Sequence, residues 1–219
     1  RKDEGRVPIT AKLVANLVTR AGADRVLAMD LHAAQIQGFF DVPVDHLYAS
    51  NVLNEHFRGM QIPSTDLVIV SPDEGSIKRA VGHAKRLGGS IAIIDKRRTS
   101  ALETTQENLI GASVEGKVCL MFDDMISTAS SISGAVRLVK HRGAREVHVA
   151  ATHGLFAGNA VQRLNDAGID SVVITDTVPV REPGKINGLR VLTVSNLLGE
   201  AIRRIHQHRS ISAMFQSKV

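Results

Sequence analysis

Apolar residues fall along this chain in two rhythms that alternate, and the alternation predicts the architecture. In the stretch Pro8 to Ala21, Ile9, Leu13 and Leu17 recur at helical spacing with Val14 and Val18 beside them, so an amphipathic helix is expected with proline near its first turn. A strand follows at Arg25 to Met29. The same succession then repeats: helix Val52 to Met60, strand Leu67 to Val70, helix Ser76 to Leu87, strand Ser90 to Ile94. After a polar interval it resumes with strand Val118 to Phe122, helix Ser130 to His141, strand Glu146 to Ala151, helix Ala157 to Ala167, strands Ser171 to Ile174 and Arg190 to Val194, and helix Asn196 to His208. Short, continuous apolar strands separated by amphipathic helices are the mark of βαβ units, in which a mostly parallel sheet is covered on both faces.

The polar interval, Lys96 to Asn108, has neither period and, apart from Leu102, no apolar anchor, so a mobile loop is expected there. Every other junction is short. The best candidate boundary lies near Tyr48 to Asn51, which divides the chain into residues 1–49, resembling the end of one domain, and residues 50–219, a parallel-sheet domain with a C-terminal helix and tail. Arg1 is not a methionine, and a preceding segment is expected.

Composition narrows the class. Of 219 residues, 43% are apolar, enough to bury a sizeable core, and no apolar run approaches the roughly 20 residues of a membrane-spanning helix. No membrane association and a cytoplasmic location are expected. The single cysteine, Cys119, lies inside a predicted buried strand and reads as a small core residue. The net charge of +5 could suggest nucleic acid, but the basic residues are dispersed and aromatics make up only 3%, leaving few stacking surfaces. Small polyanions account for the excess at least as well.

Four segments carry chemistry, each at the carboxyl end of a predicted strand, where open α/β sheets bind ligands. In Val118 to Ser133 the apolar run ends in Asp123 and Asp124, and small residues then lead into a helix. The acids could accept hydrogen bonds from sugar hydroxyls or hold a cation, while Ser127, Thr128, Ala129, Ser130 and Ser131 let the backbone approach a phosphate at the helix N-terminus. An acidic turn with Ser127 or Thr128 as a helix cap is the alternative. In Asp30 to Asp45, Asp30 and His32 could present oxygen and nitrogen to a metal, or His32 could be structural. In Ser71 to Arg79, Asp73 is a second metal candidate or an ordinary Asx turn, and Lys78 and Arg79 lie on the following helix. In Asp95-Lys96-Arg97-Arg98 the cations could neutralise charge on a transferring phosphate or simply be solvated.

Taken together, these segments resemble the ribose-phosphate pyrophosphokinase family from Arg1 to the Ile211-Ser-Ala-Met-Phe215 ending. Asp30 to Asp45 is similar to its signature segment, Ser71-Pro-Asp73 to its second metal and nucleotide loop, Asp95 to Arg98 to the root of its catalytic loop, and Asp123 to Thr128 to its phosphoribosyl loop. The resemblance implies two phosphoribosyltransferase-like α/β domains, the first only partly present, since family members carry roughly a hundred further residues before the position of Arg1. It implies transfer of the diphosphoryl group of ATP to the 1-hydroxyl of ribose 5-phosphate, with release of AMP and dependence on Mg²⁺. His32 and Asp73 would assist Mg-ATP, Lys96 and Arg98 would be catalytic with Arg98 also near the sugar phosphate, Asp123 and Asp124 would hold ribose hydroxyls, and Ser127 to Ser131 would cradle the 5-phosphate. Ser210, Ser212 and Phe215 look like part of a site for phosphate and ADP effectors, and homo-oligomers built from dimers, up to hexamers, are implied. Ser130 and Ser76 stand where the family commonly has glycine. A phosphoribosyltransferase or a non-catalytic regulatory homologue are the alternative functions.

Overall fold

An apolar strand with no polar alternation is stable only where both its faces are covered, and this chain supplies several such strands. The computed structural model describes residues 9–97 and 106–215. The chain divides into two compact units, one made of residues up to Ala49 together with those from Ser195 onward, the other running from Ser50 to Val194.

In the larger unit, α2 (Ser50–Gly59), β3 (Leu67–Ser71), α3 (Ile77–Leu87), β4 (Ser90–Arg97), β5 (Gln106–Gly111), β6 (Val118–Ile126), α4 (Ser130–His141), β7 (Glu146–Gly154), α5 (Ala160–Asp166), β8 (Ser171–Thr175) and β9 (Leu189–Leu192) follow in order. Among the described residues, seven strands form one sheet in the order β5-β4-β3-β6-β7-β8-β9. All neighbours are parallel except β4 and β5, which run antiparallel from Ala92 opposite Gly111 to Arg97 opposite Gln106. The chain builds outward from β3 to one edge and then returns to the other side of β3 with β6. That reversal makes the β3–β6 junction the switch point of the sheet, where α/β folds open a crevice at the carboxyl ends of their strands.

Alternate residues of β6 serve opposite faces, as the pleat requires. Val118, Leu120 and Phe122 join Leu53 and Phe57 of α2 and Ala80 and Ala84 of α3 in one apolar cluster. Cys119 and Met121 join Ile132, Val136 and Val139 of α4 and Leu164 of α5 in the other. Cys119 is fully buried, and burial pushes its thiol up to about 12, which leaves it an inert core group. Phe122 meets Phe57 edge-on with ring centroids 5.5 Å apart and lies flat on His83 of α3 at 3.6 Å. His83 Nδ1 is 2.6 Å from Asn54 Oδ1, and burial, reinforced by Arg86 and Arg79, lowers its pKa to about 3. It is a neutral, stacked core residue.

Two strands run further than periodicity predicts. The interval expected as loop is partly strand: Lys96 and Arg97 end β4, and residues 106–108 begin β5, while residues 98–105 lie outside the described residues. Backbone pairing at the sheet edge needs no apolar side chains, and a polar edge strand discourages pairing with other molecules, so hydrophobic periodicity misses it. Likewise, β6 does not end at Phe122 but continues to Ile126, paired with β7 as far as Ile126 opposite Gly154.

The smaller unit holds α1 (Thr10–Arg20), β1 (Val26–Met29), a 3₁₀ turn at Ala34–Phe39, β2 (Val44–Leu47) and α6 (Ser195–His206). Strands β1 and β2 pair in parallel from Val26 opposite Val44 to Met29 opposite Leu47. The C-terminal helix and tail, expected with the second domain, group with the first unit, where Phe215 meets Tyr48 edge-on at 5.9 Å.

Candidate functional site

The site is built where strand β3 stops and β6 does not. Register between them runs from Leu67 opposite Val118 to Val70 opposite Met121, and β3 ends at Ser71. Asp123 and Asp124 therefore extend past their neighbour on one side while β7 still holds the other side. Two adjacent carboxylates in an extended strand would project to opposite faces. Here one guanidinium takes both: Arg79 Nη1 donates to Asp123 Oδ1, and Arg79 Nη2 donates to Asp124 Oδ1 at 2.8 Å. The backbone N–H of Asp124 also donates to Asp123 Oδ1, at 2.9 Å. The Asp124 side chain is 9% exposed and that of Asp123 32%.

Burial, followed by the neighbouring Asp124, raises the Asp123 carboxyl to about 6 even though Arg79 opposes the shift. The sign for stability follows directly. Asp123 has an ordinary value near 3.8, so between about pH 4 and 6 the folded chain holds a proton that the unfolded chain has released, and this group's contribution falls as pH rises through that window. Asp123→Asn should thus gain stability relative to the unsubstituted protein as pH rises from about 4 to 6, with a constant difference above about 7, measured by denaturant unfolding at each pH. A difference that does not change with pH would show that Asp123 is not a buried, high-pKa acid.

The segment after β6 has the form of an anion cradle. Ala129, the residue before α4, has φ of 59°, so the strained left-handed position falls on Ala129, while Ser130 opens the helix. No side chain caps the helix, so Ser127 and Thr128 are not its caps. Thr128, Ser130 and Ser131 are exposed, Ser127 is half-buried and Ala129 is buried. The first N–H groups of α4 have no acceptor within the helix and are available to an anion at its start. Arg163 of α5, which the motif reading missed, braces the segment: its Nη1 donates to the Thr128 carbonyl at 2.9 Å and to Ser130 Oγ at 2.7 Å. Its separation in sequence leaves no local signal for this contact.

At the end of β3, Asp73 is exposed, and its Oδ1 accepts the Ser76 backbone N–H at 2.8 Å, closing a short 3₁₀ turn at Glu74–Ser76. This is the Asx-turn role, yet an ionised carboxylate has lone pairs beyond that one bond. Ser76 sits at φ of −92°, so its Cβ costs no backbone strain. Lys96 is the second-to-last residue of β4, and Arg98 lies outside the described residues.

In the smaller unit, His32 is exposed in the turn after β1. Asp30, at φ of 40°, accepts the Ala49 backbone N–H on Oδ2 at 2.8 Å, so this carboxylate is a structural brace. His46, also unforeseen, accepts the Leu31 backbone N–H on Nε2 at 2.9 Å, and burial lowers its pKa, which keeps that nitrogen an acceptor. Ser210 and Ser212 are exposed; the Ser210 carbonyl accepts from Arg204 Nη1 at 3.0 Å, and Phe215 is half-buried.

Comparison with known proteins places this geometry in context. Residues 107–216 match the phosphoribosyl synthetase-associated domain. The chain is 65% identical to the ribose-phosphate pyrophosphokinase of Rhodopirellula baltica over 218 residues, which is 100% of this chain and 69% of that protein. It is 50% identical to the protein of that name from Gloeobacter violaceus, over 99% of this chain and 64% of the relative. The chain thus spans about two thirds of the length of these relatives. The crystal structure of phosphoribosylpyrophosphate synthetase from Mycobacterium smegmatis superposes with a TM-score of 0.85 at 41% identity, covering 95% of this chain and 67% of that one.

Proposed function

The chain belongs to the ribose-phosphate pyrophosphokinase family, and from that premise we propose that the protein transfers the diphosphoryl group of ATP to the 1-hydroxyl of ribose 5-phosphate. The observation that carries this reading is the acid pair Asp123–Asp124 set directly before the Ser127–Ser131 cradle at the switch point of the sheet. A pentose phosphate needs acceptors for its hydroxyls and donors for its phosphate, separated by about the length of the sugar.

In the reaction, the bond between the sugar O1 and the β-phosphorus forms, and the bond between that phosphorus and the oxygen bridging to the α-phosphate breaks. AMP leaves with the bridging oxygen, and the 1-hydroxyl loses its proton. Asp123 and Asp124 accept hydrogen bonds from ribose hydroxyls and so fix the ring. The cradle binds the 5-phosphate through backbone N–H groups and the hydroxyls of Ser127, Thr128, Ser130 and Ser131. Lys96 belongs to β4 and Arg98 follows that strand in the sequence, and their charge would stabilise the equatorial oxygens of the group in transit.

The Asp73 carboxylate fits Mg²⁺. Asp73 offers hard oxygen, and among the described residues no group of three or more His, Cys, Asp or Glu side chains gathers to hold a metal. Mg²⁺ is commonly held by one or two protein groups, with substrate phosphates and water completing the shell. The family resemblance implies a role toward Mg-ATP for Asp73 and for His32, each within its own unit, and the ion would neutralise charge on the phosphates. Assembly into dimers and hexamers, with phosphate and ADP acting near Ser210, Ser212 and Phe215, belongs to the same proposal. No described helix is long and apolar enough to cross a membrane.

Release of AMP from ATP by the full-length protein, dependent on both ribose 5-phosphate and Mg²⁺, is the expected result. Turnover only with phosphoribosyl pyrophosphate and a nucleobase would replace this reading with a phosphoribosyltransferase. Absence of both activities, with active subunits still bound, would mark a regulatory homologue.

A further inference from the structure

Arg79 is a side chain to which the motifs assign no role and which the geometry places on both acids of the site. We propose that Arg79 is a positioning residue that sets the preference of the acid pair for ribose over 2-deoxyribose. The inference rests on the reading of Asp123 and Asp124 as acceptors of ribose hydroxyls, and it deepens that reading by naming what makes two adjacent acids act as one acceptor.

The reasoning starts from the strand. Consecutive residues of β6 alternate between faces, as the partition of Val118 to Phe122 between two apolar clusters demonstrates. Asp123 and Asp124 inherit that alternation and, left alone, would diverge and repel. A guanidinium presents its N–H donors in a rigid planar fork, and the fork of Arg79 engages one oxygen of each acid. Its position is itself fixed. Arg79 stands in the first turn of α3, after the turn closed by Asp73, and one helical turn before His83, which lies flat on Phe122, the residue preceding the acids. Helix α3 is therefore keyed to this end of β6 at two successive points, one apolar and one ionic.

A vicinal diol offers two donors at about hydrogen-bond separation and is best met by two acceptors held at matching separation. Each carboxylate oxygen accepts more than one hydrogen bond, so the fork of Arg79 can aim the pair without consuming its capacity. A sugar with a single hydroxyl in that position gains little from convergence. The consequence is specific: loss of Arg79 should weaken the diol contact and leave the phosphate contact alone. A lysine, with one ammonium in place of a fork, retains the charge but holds the two acids less firmly.

The test is calorimetric titration of the full-length protein with ribose 5-phosphate and with 2-deoxyribose 5-phosphate, for the unsubstituted protein and for Arg79→Leu and Arg79→Lys. The unsubstituted protein should bind ribose 5-phosphate more tightly. Arg79→Leu should lose roughly 10-fold in ribose 5-phosphate affinity while binding the deoxy sugar unchanged, so that the preference disappears; Arg79→Lys should fall between. Binding of the deoxy sugar serves as the check that each variant is folded. If Arg79→Leu keeps the preference, Arg79 is only a scaffold ion pair and the inference fails. If it binds ribose 5-phosphate more tightly, Arg79 competes with the sugar, and the inference fails in the opposite sense. If the two sugars weaken equally in both variants, the role is structural and not one of specificity. If the unsubstituted protein binds neither sugar phosphate, the reading of the acid pair falls, and the inference falls with it.

Discussion

Replacing Asp124 by asparagine should weaken ribose 5-phosphate binding by roughly 10- to 100-fold. Asparagine has nearly the same size and shape, so the packing around position 124 is preserved; what changes is charge. A hydrogen bond to a charged group contributes about 1.5–3 kcal/mol, and each 1.4 kcal/mol is a factor of ten. The effect should be strong at this residue because the Asp124 side chain is 9% exposed and water replaces little of what is lost. Arg79 retains Asp123 as a partner, which limits collateral unfolding. Calorimetric titration gives the number, with inorganic phosphate as a control ligand that uses the cradle but not the acids. Unchanged ribose 5-phosphate affinity would remove the observation on which the proposed function stands.

A second large effect is expected one residue before the acids. Phe122→Ala should cost about 3–5 kcal/mol of stability, the usual range for an aromatic truncated in a packed core. Phe122 is 2% exposed, sits edge-on to Phe57 and is stacked on His83, so two aromatic surfaces lose a partner at once. His83 is the more sensitive of them: it is neutral because it is dry, and water entering a cavity at Phe122 would relieve the burial that lowers its pKa. Thermal unfolding should shift downward by roughly 10 °C or more. Phe122→Leu, which conserves much of the volume, should cost less than about 1.5 kcal/mol. A loss below about 1 kcal/mol for the alanine variant would mean that the face shared by α2, α3 and β6 is not close-packed.

Much of the architecture was legible because burial on both faces writes itself into composition. The runs Leu67 to Val70 and Val118 to Phe122 have no polar alternation, and the helices between them repeat at 3–4 residues, so strand and helix order followed from spacing alone. What escaped was structure held by backbone pairing at an edge. Strand β5 begins with Gln106, Glu107 and Asn108, and Val44–Leu47 is four residues long, so neither offers a periodic signal. In the site, the acid pair and the cradle were visible as local motifs. Arg79 was noticed only as a cation on the next helix, and Arg163 not at all, since their contacts join residues 44 and 33–35 positions apart. Nothing in a single sequence ranks one such pairing above another. Ser130, which stands where the family commonly has glycine, opens the helix, and the positive φ falls at Ala129 before it, because backbone conformation at a turn depends on where the helix starts and hydroxyl residues before and after Ala129 both look like starts.

The order of strands in the sheet also has a bearing on how the protein is made. Strand β6 joins β3 only after about fifty intervening residues have been synthesised, an interval of roughly 3–10 s at ribosomal rates of about 5–20 residues per second. During that time one edge of β3, whose five residues are all buried in the finished protein, has no neighbour. Nascent chains should therefore be most prone to aggregation while the stretch between β3 and β6 is emerging, and protection by a chaperone should matter most in that interval. The junction that carries the acid pair in the mature protein is, on the ribosome, a seam that closes late.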